Sequence, residues 1–329
     1  MKGKRFLTRL AAVALAVALM LAFGLPAMAE NYPDKPVSMI VTYSPGGATD
    51  FQARLVTMLA SNDNYLGQPI VIINKPGAGG QVGWNWFIEK GSKDGYTLAT
   101  YNVPHFIAQS IVYPTKYDIN TFEPVGNWGA DPAVLIVPKD SPFNSVKDLV
   151  AYAKQNPGKI TLSGAGMYVG HHIAALQLMK AAGVKLTYIP EKGGVPAMQS
   201  VISGKVKAGF NNLSDSFRNQ DRLKILAIAD LERHEFLPKV PTLKEEGIDV
   251  DNSSVNYRGV VLPKGAPPAV IAKLSEVFPK MFADKKVKAK MKASGSPEKV
   301  MTRDQVIKMF KERQVYLEGL LAELKKKKK

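Results

Sequence analysis

Ser44-Pro45-Gly46-Gly47-Ala48-Thr49-Asp50 follows an apolar run at 37–41 and precedes Phe51, Leu55, Met58 and Leu59, which repeat at helical spacing. Strand, glycine turn and helix start, in that order, place unpaired backbone N–H groups and a partial positive charge at the loop. Such a terminus binds an anion without a cationic side chain. Gly46 and Gly47 either let the backbone approach a ligand or simply permit a tight strand–helix turn. Tyr43, Ser44 and Thr49 bring hydroxyls, and Asp50 either caps its helix or reaches the ligand. A second unit of similar design, Ser163-Gly164-Ala165-Gly166-Met167-Tyr168, stands between a run at 160–162 and a helix expected from about His171, with Ile173, Leu176 and Met179 on one face. Asn102, Pro104 and His105 follow a run at 96–100, and Asn211 and Asn212 follow a run at 207–210. Ligands gather at the carboxyl ends of such strands.

Other chemistries find no support. There is no Cys, which removes thiol catalysis and thiolate metal sites. His171 and His172 are adjacent, a poor spacing for chelation from a helix, and the four histidines form no metal pattern. No G-x-S-x-G, H-E-x-x-H or P-loop is present, and Gly77, Gly79 and Gly80 are wrongly spaced to Gly83 for a dinucleotide fingerprint. These glycines read as a turn. The chain is therefore expected to bind rather than catalyse, with no metal and no cofactor. A secreted α/β enzyme is the competing reading, since fold alone does not exclude catalysis.

The elements that must carry these loops are short apolar runs alternating with helical patterns. The runs are at 37–41, 70–73, 96–100, 133–137, 160–162, 185–189, 207–210, 225–229 and 259–262. Helices are expected at 146–154, 196–203, 268–282 and 303–324, and turns at Lys93-Asp94-Gly95, Asn156-Pro157-Gly158 and Pro263-Lys264-Gly265. The alternation predicts an α/β fold with mainly parallel sheets. Two loops in separate halves predict two lobes facing a shared cleft. Crossings near 126–131 and 252–257 divide the chain into a first lobe of 30–126 plus 256–329, with C-terminal helices and a Lys tail, and a second lobe of 127–255. Asp131, at a crossing, joins the ligand candidates. Arg258 reads as an exposed hinge residue or as a partner for a second ligand carboxylate. Trp84 and Trp86 cannot share a helix face, so at least one is expected to pack.

The N-terminus reads as a secretory signal. Lys2, Lys4, Arg5 and Arg9 precede a mostly apolar stretch at 10–25 and the small-x-small site Ala27-Met28-Ala29, so cleavage is expected after Ala29, into the periplasm. No Cys follows to carry a lipid, and no later stretch is apolar enough to span a bilayer. Of the formal charge of +16, the signal accounts for four and the five lysines at 325–329 for five, leaving +7. A mild basic excess suits anions. No basic residues interleave with aromatics, so nucleic acid is not an expected partner.

The motifs taken together resemble the substrate-binding proteins of tripartite tricarboxylate transporters, the Bug/TctC family. The resemblance runs through Tyr32-Pro33-Asp34-Lys35-Pro36, Pro45 to Asp50, Leu66-Gly67-Gln68-Pro69, Asn74 to Gly80, Asp94-Gly95-Tyr96-Thr97-Leu98, Lys192-Gly193, Pro241-Thr242-Leu243, Glu246-Gly247 and Pro263-Lys264-Gly265. It covers essentially the whole chain after the signal, and the order of the motifs is more specific than any one of them. It implies a monomeric periplasmic two-lobed binding protein, closing on a small carboxylate and serving a large and a small integral membrane subunit. One ligand carboxylate would be held by Ser44, Gly46, Gly47, Thr49 and Asp50 from one lobe and by Ser163, Gly164 and Gly166 from the other, with Gly79 at the cleft rim. One departure stands out. The family commonly continues its second loop with Ser or Thr and then a His three residues on. Here Met167 lacks the hydroxyl, Tyr168 either supplies one or fills the pocket, and the His pair is displaced. Tyr43, Tyr101 and Tyr168 allow an aromatic acid, and a short di- or tricarboxylate is equally compatible. Service to another importer, or as a sensor, is the alternative.

Overall fold

A computed structural model describes residues 32–326 of the chain; the expected signal at 1–29 and the last three lysines lie outside the described residues. In chain order the elements are β1 (Val37–Val41), α1 (Ala48–Val56), β2 (Ile70–Asn74), α2 (Gln81–Lys90), β3 (Thr97–Val103), α3 (His105–Val112), β4 (Phe122–Asp131), β5 (Ala133–Pro138), α4 (Val146–Gln155), β6 (Thr161–Gly164), α5 (Gly170–Ala182), β7 (Thr187–Pro190), α6 (Gly194–Ile202), β8 (Ala208–Asn212), α7 (Leu213–Phe217), β9 (Leu223–Ala229), β10 (Asn256–Pro263), α8 (Pro268–Phe282), α9 (Lys285–Ala293), β11 (Glu298–Met301) and α10 (Arg303–Lys326). A short 3-10 turn at Ala78–Gly80 precedes α2.

Two sheets result, ordered β11-β4-β10-β3-β1-β2 and β7-β6-β8-β5-β9. They are mixed rather than mainly parallel. β1 runs parallel to β2 and β3, and β6 to β7 and β8. β10 is antiparallel to both β3 and β4, and β5 to both β8 and β9. These antiparallel strands sit next to the crossings, where the chain enters a sheet from the opposite lobe rather than through a helical crossover. The chain leaves the first sheet at Asp131, enters the second at Ala133 and returns at Asn256. β4 continues unbroken across residue 127, so we take the division between lobes to fall after Asp131.

Both faces of the inner strands are covered, which is why they read as continuous apolar runs, while the edge strands β2 and β7 are partly exposed. Along β1, Val37, Met39 and Val41 pack with Leu274, Phe278 and Phe282 of α8, while Ile40 faces the other way, with Trp84, Phe106 and Phe310. Along β5, Leu135 and Val137 join one core and Val134 and Ile136 another. Trp84 is wholly buried and donates Nε1–H to the Thr100 carbonyl at 2.9 Å, while Trp86 is partly exposed beneath the Lys75 ammonium. Ile173 of α5 packs into the first lobe's core and so ties the lobes together by apolar contact. Among the described residues no helix is long and apolar enough to cross a membrane.

Candidate functional site

The carboxyl ends of β1, β3, β6 and β8 converge where the lobes meet, around a small cavity of ≈ 20 Å³. Tyr43, Ser44, Gly47, Ala48, Thr49, His105 and Asn256 line it from the first lobe, and Ala165, His171, Gly194, Val195 and Asn212 from the second. That volume holds about one water, so any larger ligand requires the lobes to part, a rigid-body hinge motion.

Four helices begin at this cavity. α1 starts at Ala48, α3 at His105, α5 just before His171 and α6 at Gly194, and none of the four has a side-chain cap. Away from it, Ser145 accepts the Asp148 N–H ahead of α4 and Asp284 accepts the Lys286 N–H ahead of α9, while α2, α7 and α8 also lack a side-chain cap. Four uncapped starts direct N–H donors and partial positive charge toward one point, an arrangement that suits an anion. One of these donors is met from the opposite lobe, where Asp215 accepts the Ala48 N–H at 3.3 Å. Burial pushes the Asp215 carboxyl up, against the opposing pull of Arg218.

Behind the cavity wall lies a buried network. Arg258, with no exposed surface, pairs with the equally buried Asp131 at 2.7 Å. It also donates to Asn212 Oδ1 at 2.7 Å, to Gln52 Oε1 at 3.2 Å and, through Nε, to Thr49 Oγ1 at 3.2 Å. Asn102 Nδ2 donates to the same Thr49 oxygen at 3.0 Å. With both lone pairs taken, the Thr49 hydroxyl can only donate, and it lines the cavity. The first loop is braced separately. Asp50 accepts the Gly46 N–H at 2.9 Å, the Asn74 amide at 2.8 Å and the Arg54 guanidinium at 2.9 Å. Burial works against its charge, yet these partners together hold its carboxyl below the ordinary range.

Of the residues expected from sequence, Tyr43, Ser44, Gly47, Thr49, His105 and Asn212 line the cavity. The others occupy different places. Asp50 braces the loop, Gly46 is held by Asp50, and Asn102 orients Thr49. The Asp131 carboxylate is taken by Arg258, Ser214 and Gln52. Ser163 donates to the Ala197 carbonyl. Gly164 is a packing requirement, since a Cβ there would lie 2.1 Å from Tyr188 Oη. A Cβ on Gly166 would lie 2.8 Å from Gly79 Cα, so the two glycines let the lobes close backbone to backbone. Gln109 Nε2 clasps the same seam, donating to the Gly79 carbonyl at 3.2 Å and to that of Met167 at 3.1 Å. Tyr168 packs edge-on against Tyr113 of the first lobe and does not line the cavity. Arg258 is not an exposed hinge residue; it is buried within the crossing strand. His171, dismissed by its spacing to His172, does line the cavity, as do Asn256, Gly194 and Val195.

The model of the tripartite tricarboxylate transporter family receptor, TctC, matches residues 53–324. The chain is 33% identical over 286 residues to the UPF0065 protein in the gbd 5′ region of Cupriavidus necator, covering 85% of each. Its fold matches that of the periplasmic binding protein BugD with a TM-score of 0.80 at 29% identity, covering 89% of this chain and 98% of that one. The R. palustris protein Rpa4515, solved with adipate, matches with a TM-score of 0.80 at 25% identity, covering 88% of this chain and 96% of that one.

Proposed function

This chain belongs to the tripartite tricarboxylate transporter receptor family, and from that premise we propose that it captures a small carboxylate between its lobes and delivers it to a tripartite membrane transporter. The observation that carries this reading is the convergence of four uncapped helix starts on one small cavity between the lobes. A buried carboxylate is tolerated only where it is well hydrogen-bonded, and backbone N–H groups with the Thr49 hydroxyl supply that without a cation in contact. The family and its structural neighbours are solute-binding receptors, not enzymes. Adipate bound to the R. palustris protein supports a carboxylate as ligand here. The working location is the periplasm, reached through residues 1–29, and the partners are a large and a small integral membrane subunit meeting a monomeric receptor.

A thermal-shift screen of residues 30–329 against mono-, di-, tri- and aromatic carboxylates tests this. A ligand at a hundred times its Kd adds about 2.7 kcal/mol to the unfolding free energy, a shift of several degrees. No shift with any carboxylate overturns the reading. With the ligand in hand, Thr49→Val is expected to weaken binding by about 1–3 kcal/mol through loss of its one available donor, and Thr49→Ser to restore most of it. Titration calorimetry reads both, and an unchanged affinity in Thr49→Val removes that hydroxyl from the site.

A further inference from the structure

The two histidines that line the cavity are fixed in opposite tautomers. Tyr43 Oη lies 2.8 Å from the Gly79 carbonyl oxygen and 2.6 Å from His105 Nδ1. A carbonyl has no proton to share, so the phenol proton points to Gly79 and the proton of the second contact sits on His105 Nδ1. The other ring nitrogen, Nε2, then carries a lone pair. It is buried and has no hydrogen-bond partner. His171 is arranged the other way. Its Nδ1 accepts the Ala165 N–H at 3.2 Å, so Nε2 carries the proton, and it too is buried without a partner. Burial keeps both rings neutral: His105 lies well below its ordinary pKa, with His171 and Arg258 adding to the effect, and His171 lies near 4, where burial outweighs the opposing side-chain contact with Asn212.

A carboxylate offers only lone pairs. It can take the protons of His171 Nε2 and Thr49 Oγ1, but against His105 Nε2 it sets acceptor on acceptor. Both rings border one cavity of ≈ 20 Å³, so on closure a single small group meets both. We propose that His105 selects a hydroxyl on the carbon beside the ligand's carboxylate: the hydroxyl donates to His105 Nε2 while the carboxylate accepts from His171 and Thr49. An ammonium would also donate, but the four helix N-termini that meet the cavity disfavour a cation there, Arg258 being neutralised by Asp131. The inference rests on the carboxylate-receptor reading above and narrows it to 2-hydroxy acids.

Titration calorimetry at pH 7.5 with matched pairs tests it: lactate and propionate, malate and succinate, mandelate and phenylacetate, 2-hydroxyadipate and adipate. In the pair that binds, the hydroxy acid is expected to be roughly ten- to a hundredfold tighter than its deoxy partner, and tighter than the 2-amino analogue. His105→Leu should bring the hydroxy-to-deoxy ratio to about one, and His105→Gln, whose amide oxygen accepts, should keep part of it. A deoxy acid that binds as tightly as its hydroxy partner overturns the proposal. So does a ratio that persists in His105→Leu, or a deoxy acid that binds with uptake of a proton, which would make His105 a donor. If His105→Leu does not fold, the wild-type ratio and His105→Gln decide. If no acid of any pair binds, the carboxylate-receptor reading itself fails and the selection by His105 falls with it, an outcome distinct from the others.

Discussion

Arg258→Met is expected to lower the unfolding free energy by about 3–5 kcal/mol, read as a shift in urea midpoint at constant slope. Both partners of the Arg258–Asp131 pair are wholly buried. Taking two charges out of water is costly, and their mutual attraction offsets that cost only while both are present. Removing the guanidinium strands the Asp131 carboxylate, with Ser214 and Gln52 as its remaining donors. It also strips a donor from Thr49, Gln52 and Asn212. Asp131→Asn alone strands the guanidinium in the same way. The double variant should recover part of the sum, because neither charge is then left unpaired. A loss below about 1 kcal/mol in Arg258→Met would mean that water enters and solvates Asp131. The same substitution bears on closure, since Arg258 lies in the crossing strand β10 and reaches Asn212 of the other lobe.

The strands were legible because burial on both faces leaves little room for polar residues. Each of the nine apolar runs overlaps a strand, five of them lying wholly within one. β4 was not, because Pro124, Gly126 and Gly129 interrupt it; Gly129 is needed where a Cβ would lie 2.8 Å from the Pro297 carbonyl, in contact with sequence far away. Helix α9 was missed because its nine residues carry five lysines around only Val287 and Met291, too thin a stripe to read as amphipathic.

The site was legible in outline and misread in detail, for a consistent reason. The glycine loops and strand ends signal where ligand-facing backbone lies, and that signal is local. Whether a given side chain faces ligand or neighbour depends on partners far along the chain. Gly164 answers to Tyr188, Gly166 to Gly79, and Arg258 to Asp131. An arginine is seldom buried unless paired, and its partner lies more than a hundred residues away, so exposure was the natural expectation. His171 was judged on its spacing to His172, a test for chelation. Its role is set instead by the Ala165 N–H within its own loop, which fixes the ring tautomer.

Stability should drain away as pH falls from about 6.5 towards 4, by about 3 kcal/mol from His171 alone. In the unfolded chain this ring titrates near 6.5, whereas burial in the fold lowers its pKa to about 4. Above 6.5 neither state binds the proton and the full stability is present. Between the two values only the unfolded state binds it, so unfolding becomes progressively easier. His105 is shifted in the same direction, chiefly by burial, and adds to the loss. Asp215 opposes it, because its raised pKa lets the folded state take up a proton first. Urea unfolding at pH 7.5, 6, 5 and 4.5 reads the sum, and His171→Gln should flatten the slope by the share of His171 while retaining an amide N–H at the cavity. The window separates this from ordinary acid unfolding. Asp50 and Asp251 have lowered carboxyl pKa values, so what they contribute is lost only below the ordinary carboxylate range. Parallel losses in wild type and His171→Gln down to pH 4.5 would mean that this ring is charged in the fold, and with it would go the fixed N–H donor that His171 presents to the cleft.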